Sequence, residues 1–183
     1  MTGGRFRRVL IDRRFEWPLI ALVVIADQIT KLLVVLELGL HESLPVLRGL
    51  LDLTHVRNTG AAFGFLNTAD FPGKPVVIAV VAFGALVGVS LYARQLPAAH
   101  WLARLGLALI LGGAAGNLVD RVRQGYVVDF VDVYWGDWHF WAFNVADAAI
   151  SVGVGIIILD LLWPGQAGPA SDTAHESESS SVS

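Results

Sequence analysis

Residues Trp17 to Leu38, Val76 to Leu96, Trp101 to Val119 and Phe143 to Trp163 form four apolar runs, each close to the ~20 residues an α-helix needs to cross the hydrocarbon of a bilayer. The chain is 55% hydrophobic and 16% charged, with a mean hydropathy of +0.60. A water-soluble domain carries roughly 25% charged residues, so lipid is the expected solvent. The fold class that follows is an all-α membrane protein of four transmembrane helices, at about 17–38, 76–96, 101–119 and 143–163. Pro164 closes the last.

Five arginines stand among the first 14 residues, making residues 1–16 a basic leader, and Arg94 and Arg104 flank the short link between the second and third runs. By the positive-inside rule both termini and that link are expected in the cytoplasm. A cleaved signal peptide is a poorer account of the first run, which is too long and contains Asp27 and Lys31. Residues 17–163 form one membrane domain, and residues 164–183, rich in Ser, Gly, Ala and acids, read as a disordered cytoplasmic tail. The net charge of −3 gives no basic face for nucleic acid. With no cysteine there is no thiolate nucleophile or cysteine metal site, and the five histidines are scattered, so neither metal nor cofactor is expected.

Segments 39–75 and 122–142 then fall on the opposite face. Alternation in Leu51–Thr54 and within Tyr126–Tyr134 predicts a small β-rich segment and loop lying on the membrane. Trp135, Trp138 and Trp141 suit an interfacial aromatic belt. Gly84 and Gly88, and Gly112 and Gly116, have the small-xxx-small spacing that lets helices approach closely, and packing is the expected role of all four. Gly49, Gly60, Gly64 and Gly73 offer hinges should 39–75 act as a lid.

Ionisable groups inside spanning helices need a partner or a job. Asp27 and Lys31 lie at i and i+4 on one helix face, spacing for a mutually neutralising pair. Asn117, Asp120 and Arg121 share a face near the end of the third helix, and Asn144 and Asp147 share one near the start of the fourth. Antiparallel helices joined by about twenty residues bring those two ends to the same surface, together with a loop carrying Asp129, Asp132 and Asp137 and with Asn58-Thr59-Gly60. Without Cys, H-E-x-x-H or G-x-S-x-G, carboxylates are the chemistry left. Two carboxyls that cannot both ionise easily would share a proton, one activating water while the other polarises a carbonyl. Spacing does not choose which loop aspartate would join Asp147, and salt-bridged or solvated interfacial aspartates are the plainer account of Asp132 and Asp137.

Five ordered blocks resemble lipoprotein signal peptidase, the signal peptidase II family: Asp27-Gln28-Ile29-Thr30-Lys31; Asn58-Thr59-Gly60-Ala61-Ala62-Phe63-Gly64; Gly112 to Arg121; Val127-Val128-Asp129-Phe130; and Phe143-Asn144-Val145-Ala146-Asp147. The resemblance covers roughly residues 15–163 and implies a bacterial inner-membrane aspartyl endopeptidase with its site near the outer face. It implies that Asp129 and Asp147 are the catalytic pair, that Asn58, Gly60, Asn117, Arg121 and Asn144 line the substrate pocket, and that Asp27, Lys31 and Asp120 brace it. The implied substrate is a diacylglyceryl-modified prolipoprotein, cut just before the lipidated cysteine and met by diffusion among membrane lipids; a monomer is expected. Two rival classes are a small transporter or proton-coupled channel, whose charges should lie near the bilayer midplane, and a non-catalytic scaffold, in which the polar blocks would serve only packing.

Overall fold

The computed structural model describes residues 15–60, 71–97 and 100–162. Residues 1–14 of the basic leader, Ala61–Gly64, Trp163 and the serine-rich tail lie outside the described residues. Among the described residues four helices are long and apolar enough to cross a membrane: α1 (Glu16–Glu37), α2 (Lys74–Gln95), α3 (Trp101–Gln124) and α4 (Val145–Leu162). Four antiparallel strands, β1 (Ser43–Leu47), β2 (Leu51–Asn58), β3 (Val127–Trp135) and β4 (Trp138–His139), form one sheet in the order β1-β2-β3-β4. The strands follow α1 and separate α3 from α4, so the sheet gathers at the end of the bundle where α1 and α3 finish and α2 and α4 begin. Val34 of α1 packs there with Val128 and Phe130 of β3.

The side-chain distribution is inverted relative to a protein folded in water. Leu22, Ile25, Ile29, Leu32, Leu33 and Leu36 of α1 are exposed, whereas Asp27 is 0% and Lys31 4% exposed. An aqueous protein would bury the leucines and solvate the charges. Hydrocarbon reverses the preference, since a charge facing lipid at a helix centre costs ~3 kcal/mol and an apolar side chain costs nothing there.

Close helix contact is made by glycine. A Cβ on Gly106 would stand 2.6 Å from the Gly153 carbonyl oxygen, and one on Gly153 would stand 2.5 Å from that of Gly106, so α3 and α4 touch backbone to backbone. Gly113 meets the Ala146 carbonyl in the same way. Gly112 accommodates Val23, and Gly116 lies against Asp27, so these two glycines pack α3 on α1 as their spacing suggests. Gly84 and Gly88 do not: among the described residues nothing lies within 4 Å of a Cβ built on either. Helix α2 rests mainly on α3, and these two glycines are exposed outside that contact.

Two other expectations are corrected. Helix α3 runs to Gln124 rather than stopping near Val119, and ends where Gly125, at φ 80°, donates its N–H to the Arg121 carbonyl at 3.1 Å. Helix α4 starts at Val145 rather than Phe143, because Phe143 is in a bridge with Val131 of β3. Arg104, read as a topology signal, is also buried and donates from Nε to Glu16 Oε1 at 2.6 Å.

The β2–β3 register carries a consequence for function. Leu53 pairs with Val131, but after an irregularity at Thr54–His55 it is Val56, not His55, that pairs with Asp129. The extra residue reverses which face the rest of β2 presents. Asn58, two residues beyond Val56, therefore shares a face with Asp129 as its diagonal cross-strand neighbour; an unbroken ladder would point it the other way.

The two kinds of glycine separate in a stability measurement. Gly106→Ala should destabilise the detergent-solubilised protein by about 1–3 kcal/mol, as overpacking does. Gly84→Ala should be neutral or slightly stabilising, since alanine favours helix by up to ~1 kcal/mol. Thermal unfolding of both variants checks this, and equal effects contradict the packing described.

Candidate active site

At the sheet end of the bundle, polar groups from α1, α3, α4, β2 and β3 join into one hydrogen-bonded cluster. Its base is Lys31, whose Nζ donates to Asp27 Oδ2 at 2.8 Å and to Asn117 Oδ1 at 2.9 Å. Asp120 Oδ2 lies 2.8 Å from the same nitrogen. That contact is an ion pair off the hydrogen-bonding direction, since Asp120 Oδ2 has no hydrogen-bond partner among the described residues. Gln28 ties the cluster laterally, donating to Asp120 Oδ1 at 2.9 Å and to the Gly116 carbonyl at 3.3 Å. Asp27 Oδ1 accepts the backbone N–H of Ala146 at 3.0 Å, one of the unpaired donors at the start of α4.

The start of α4 has its own logic. Asn144 Oδ1 accepts the Asp147 N–H at 3.0 Å, while Asp147 Oδ2 accepts the Asn144 N–H at 3.3 Å. This reciprocal pair is a capping box built from Asn and Asp, with Asn144 at the cap and Asp147 three residues on. The first helical bond, from the Ala148 N–H to the Asn144 carbonyl at 3.1 Å, follows from it. The second carboxyl oxygen, Asp147 Oδ1, accepts from Asn117 Nδ2 at 2.8 Å.

Asp129 approaches from β3. Its Oδ1 accepts from Asn144 Nδ2 at 2.6 Å and its Oδ2 from Asn58 Nδ2 at 3.1 Å, the latter made possible by the bulge in β2. Asn144, itself fully buried, thus hydrogen-bonds both Asp129 and Asp147. Burial, with the nearby Asp147 charge adding to it, pushes the Asp129 carboxyl up to about 6, against the opposing pull of the Asn58 and Asn144 hydrogen bonds and the Lys31 charge.

The remaining candidates sit at the rim. Arg121 donates through Nη2 to the Gly60 carbonyl at 3.1 Å and through Nη1 to its own helix at Asn117 O, 3.2 Å. Gly60 N–H donates to Asn58 Oδ1 at 2.9 Å, so Asn58-Thr59-Gly60 folds back on itself beside Asp129. Asp132 stands apart, half-buried and within hydrogen-bonding distance of His139 Nδ1 at 3.0 Å, and Asp137 is exposed in the β3–β4 turn. An apolar groove of about 360 Å³ runs between α2 and α3, lined by Pro75, Val76, Ala79, Val80 and Phe83 and with Arg121 among its walls. Among the described residues no three His, Asp or Glu side chains gather as metal ligands.

All ten residues singled out in the sequence belong to this neighbourhood. Gln28 was overlooked as a participant, although an amide beside an intramembrane aspartate is itself a signal. So was the capping box, legible as Asn-x-x-Asp ahead of an apolar run. Lys74, which opens α2 and donates to Thr59 Oγ1 at 3.3 Å, had no motif to mark it.

Chemically, the arrangement is two carboxyls held against each other's field by amide donors, beside an apolar groove. Residues 19–163 match the family model described as signal peptidase (SPase) II. The lipoprotein signal peptidase of Shewanella pealeana is 44% identical over 163 residues, covering 89% of this chain and 94% of that protein. That of Syntrophotalea carbinolica is 49% identical over 138 residues, covering 75% and 84%. A bacterial membrane enzyme solved by the in meso method at 1.9 Å superposes with a TM-score of 0.71 at 30% identity, over 81% of this chain and 92% of that one. With a family model spanning most of its length and relatives this similar over nearly all of theirs, the chain belongs to the signal peptidase II family of membrane-embedded aspartic peptidases.

Proposed function

We propose that the chain removes signal peptides from diacylglyceryl-modified prolipoproteins, cutting just before the lipidated cysteine, with Asp129 and Asp147 as the catalytic pair. The observation that carries this is Asn144, which hydrogen-bonds both carboxyls and so holds them in one site. The pair shares one proton. The ionised member takes a proton from water and the resulting hydroxide adds to the scissile carbonyl carbon, while the protonated member gives its proton to the carbonyl oxygen. Collapse of the tetrahedral intermediate breaks the C–N bond, the leaving amine taking up the proton first gained from water while a hydroxyl of the intermediate returns its proton to the other carboxylate as the C=O of the product acid forms. The rise of the Asp129 carboxyl to about 6 is what a pair that shares one proton needs.

The surroundings suit such a substrate. With both termini in the cytoplasm, the sheet end lies at the outer face of the inner membrane, the depth at which a lipid-anchored peptide presents the bond beside its modified cysteine. The α2–α3 groove gives apolar side chains or acyl chains a wall next to Arg121, and Gly60 and Asn58 offer backbone and amide groups to an extended peptide. Asp27 lies midway along α1, but Asp120, Arg121 and Asp147 stand near the ends of α3 and α4 and Asp129 on the sheet, and this bias of charge toward one face favours a peptidase over a transport pathway.

Asp129→Asn and Asp147→Asn should each lower kcat/KM on a lipidated prolipoprotein peptide by at least ~10²–10⁴-fold, with thermal unfolding still cooperative. Near-normal processing by either variant contradicts the assignment. The alkaline side of the pH profile follows from the shared proton. As pH rises through about 6 the Asp129 carboxyl loses its proton, both members become ionised and no acid remains, so kcat/KM should then fall. A profile level from about pH 5 to about pH 9 contradicts a shared proton.

A further inference from the structure

The two ends of an asparagine carboxamide have nearly the same shape, so their partners decide which end points where. Around the carboxyl pair three such groups occur, and each has its oxygen occupied by a group that can only donate. Asn58 Oδ1 accepts the Gly60 backbone N–H, and Asn144 Oδ1 accepts the Asp147 backbone N–H. Asn117 Oδ1 accepts the Lys31 ammonium at 2.9 Å, with Asn144 Nδ2 at 3.3 Å as a second donor. Each amide is thereby obliged to turn its N–H₂ toward a carboxylate: Asn58 and Asn144 toward Asp129, Asn117 toward Asp147.

Two of these orientations are enforced by backbone and survive any side-chain substitution. The third is enforced chiefly by one side chain. We propose that Lys31 is a positioning residue for the carboxyl pair, fixing the direction of the Asn117 amide so that a donor, never an acceptor, faces Asp147. This rests on the pair being catalytic, and goes beyond bracing: a brace is needed only for the fold, whereas a donor held against Asp147 sets which protonation state of the pair is available for chemistry.

The charges around Lys31 show why its role is not simple neutralisation. Asp27 faces it from its own helix, Asp120 from α3, Asp147 from α4 and Asp129 from β3. Arg121 and Arg123 of α3 stand nearby, and β2 presents His55, bonded to the Leu38 carbonyl. A neutral residue at 31 removes a cation that holds the Asp129 carboxyl down, and frees Asn117 to turn its oxygen toward Asp147, a geometry that requires a proton on that carboxyl. Both changes retain protons on the pair to higher pH.

The test compares Lys31→Arg, a cation that only donates, with Lys31→Gln, neutral and able to accept. Lys31→Met/Asp120→Asn is added because losing Lys31 alone strands two buried carboxylates. Each is read by the pH profile of kcat/KM on a lipidated prolipoprotein peptide and, independently of activity, by infrared titration of protonated carboxyl groups. Lys31→Arg should keep the wild-type profile. Lys31→Gln and the double variant should lose at least tenfold in kcat/KM, with the profile and the infrared titration both displaced to higher pH. An unshifted profile in either neutral variant, with activity falling only as the folded fraction falls, overturns the proposal; so does a displaced profile in Lys31→Arg. Failure of the catalytic assignment looks different, because Asp129→Asn would then retain activity while the infrared displacement persisted.

Discussion

Asn144 accepts the backbone N–H of Asp147 and turns its own N–H toward the Asp147 carboxylate, so the bonds that start α4 also hold one of the two carboxyls. The same side chain reaches Asp129 at 2.6 Å. A helix cap ordinarily stabilises by about 1 kcal/mol and has no further role. Here it sets the position of one acid directly and of the other through a single amide. Because Asn144 is wholly buried, it has no alternative partner in water and little freedom to leave.

Beneath that cap lies a cluster whose existence depends on lipid. Asp27, Lys31 and Asp120 would each be costly alone in hydrocarbon, and removing one partner from such a buried group typically costs 3–5 kcal/mol. Together they offset much of one another's cost, one ammonium lying between two carboxylates, and Asp27 additionally satisfies the Ala146 N–H. The glycines make this possible. A side chain at Gly116 would displace Asp27, since its Cβ would stand 2.7 Å from Oδ2, and one at Gly113 would run into the Ala146 carbonyl. Close helix approach, buried charge and the direction of the amides are thus one problem solved once.

Much of this was legible in the residues. Four apolar runs gave the helices, and antiparallel connection alone required the polar ends of α1, α3 and α4 and the β3 loop to meet. The choice of Asp129 over Asp132 or Asp137 came from the family resemblance, not from spacing; the fold leaves Asp137 exposed and Asp132 half-buried beside His139. What could not be read has identifiable causes. Apolar count measures the hydrocarbon crossed and not the helix, so α3 was cut short at Val119 although its last five residues remain helical to Gln124. Strand β1 is exposed throughout and contains Pro45, so it lacks the alternation that reveals a half-buried strand. The bulge that turns Asn58 onto the face of Asp129 exists only in the pairing of two strands, and no local pattern in β2 announces it. Small-residue spacing is likewise blind to what lies opposite: it marked Gly112 and Gly116 correctly and Gly84 and Gly88 wrongly.

If Asp129 and Asp147 work as one unit sharing one proton, their contributions cannot be additive. The most direct measurement is therefore a double-mutant cycle on kcat/KM comparing Asp129→Asn, Asp147→Asn and the double variant. A pair acting as a unit predicts that the double variant is no slower than the worse of the two single variants. Losses that multiply would show two carboxyls acting independently and would contradict the account.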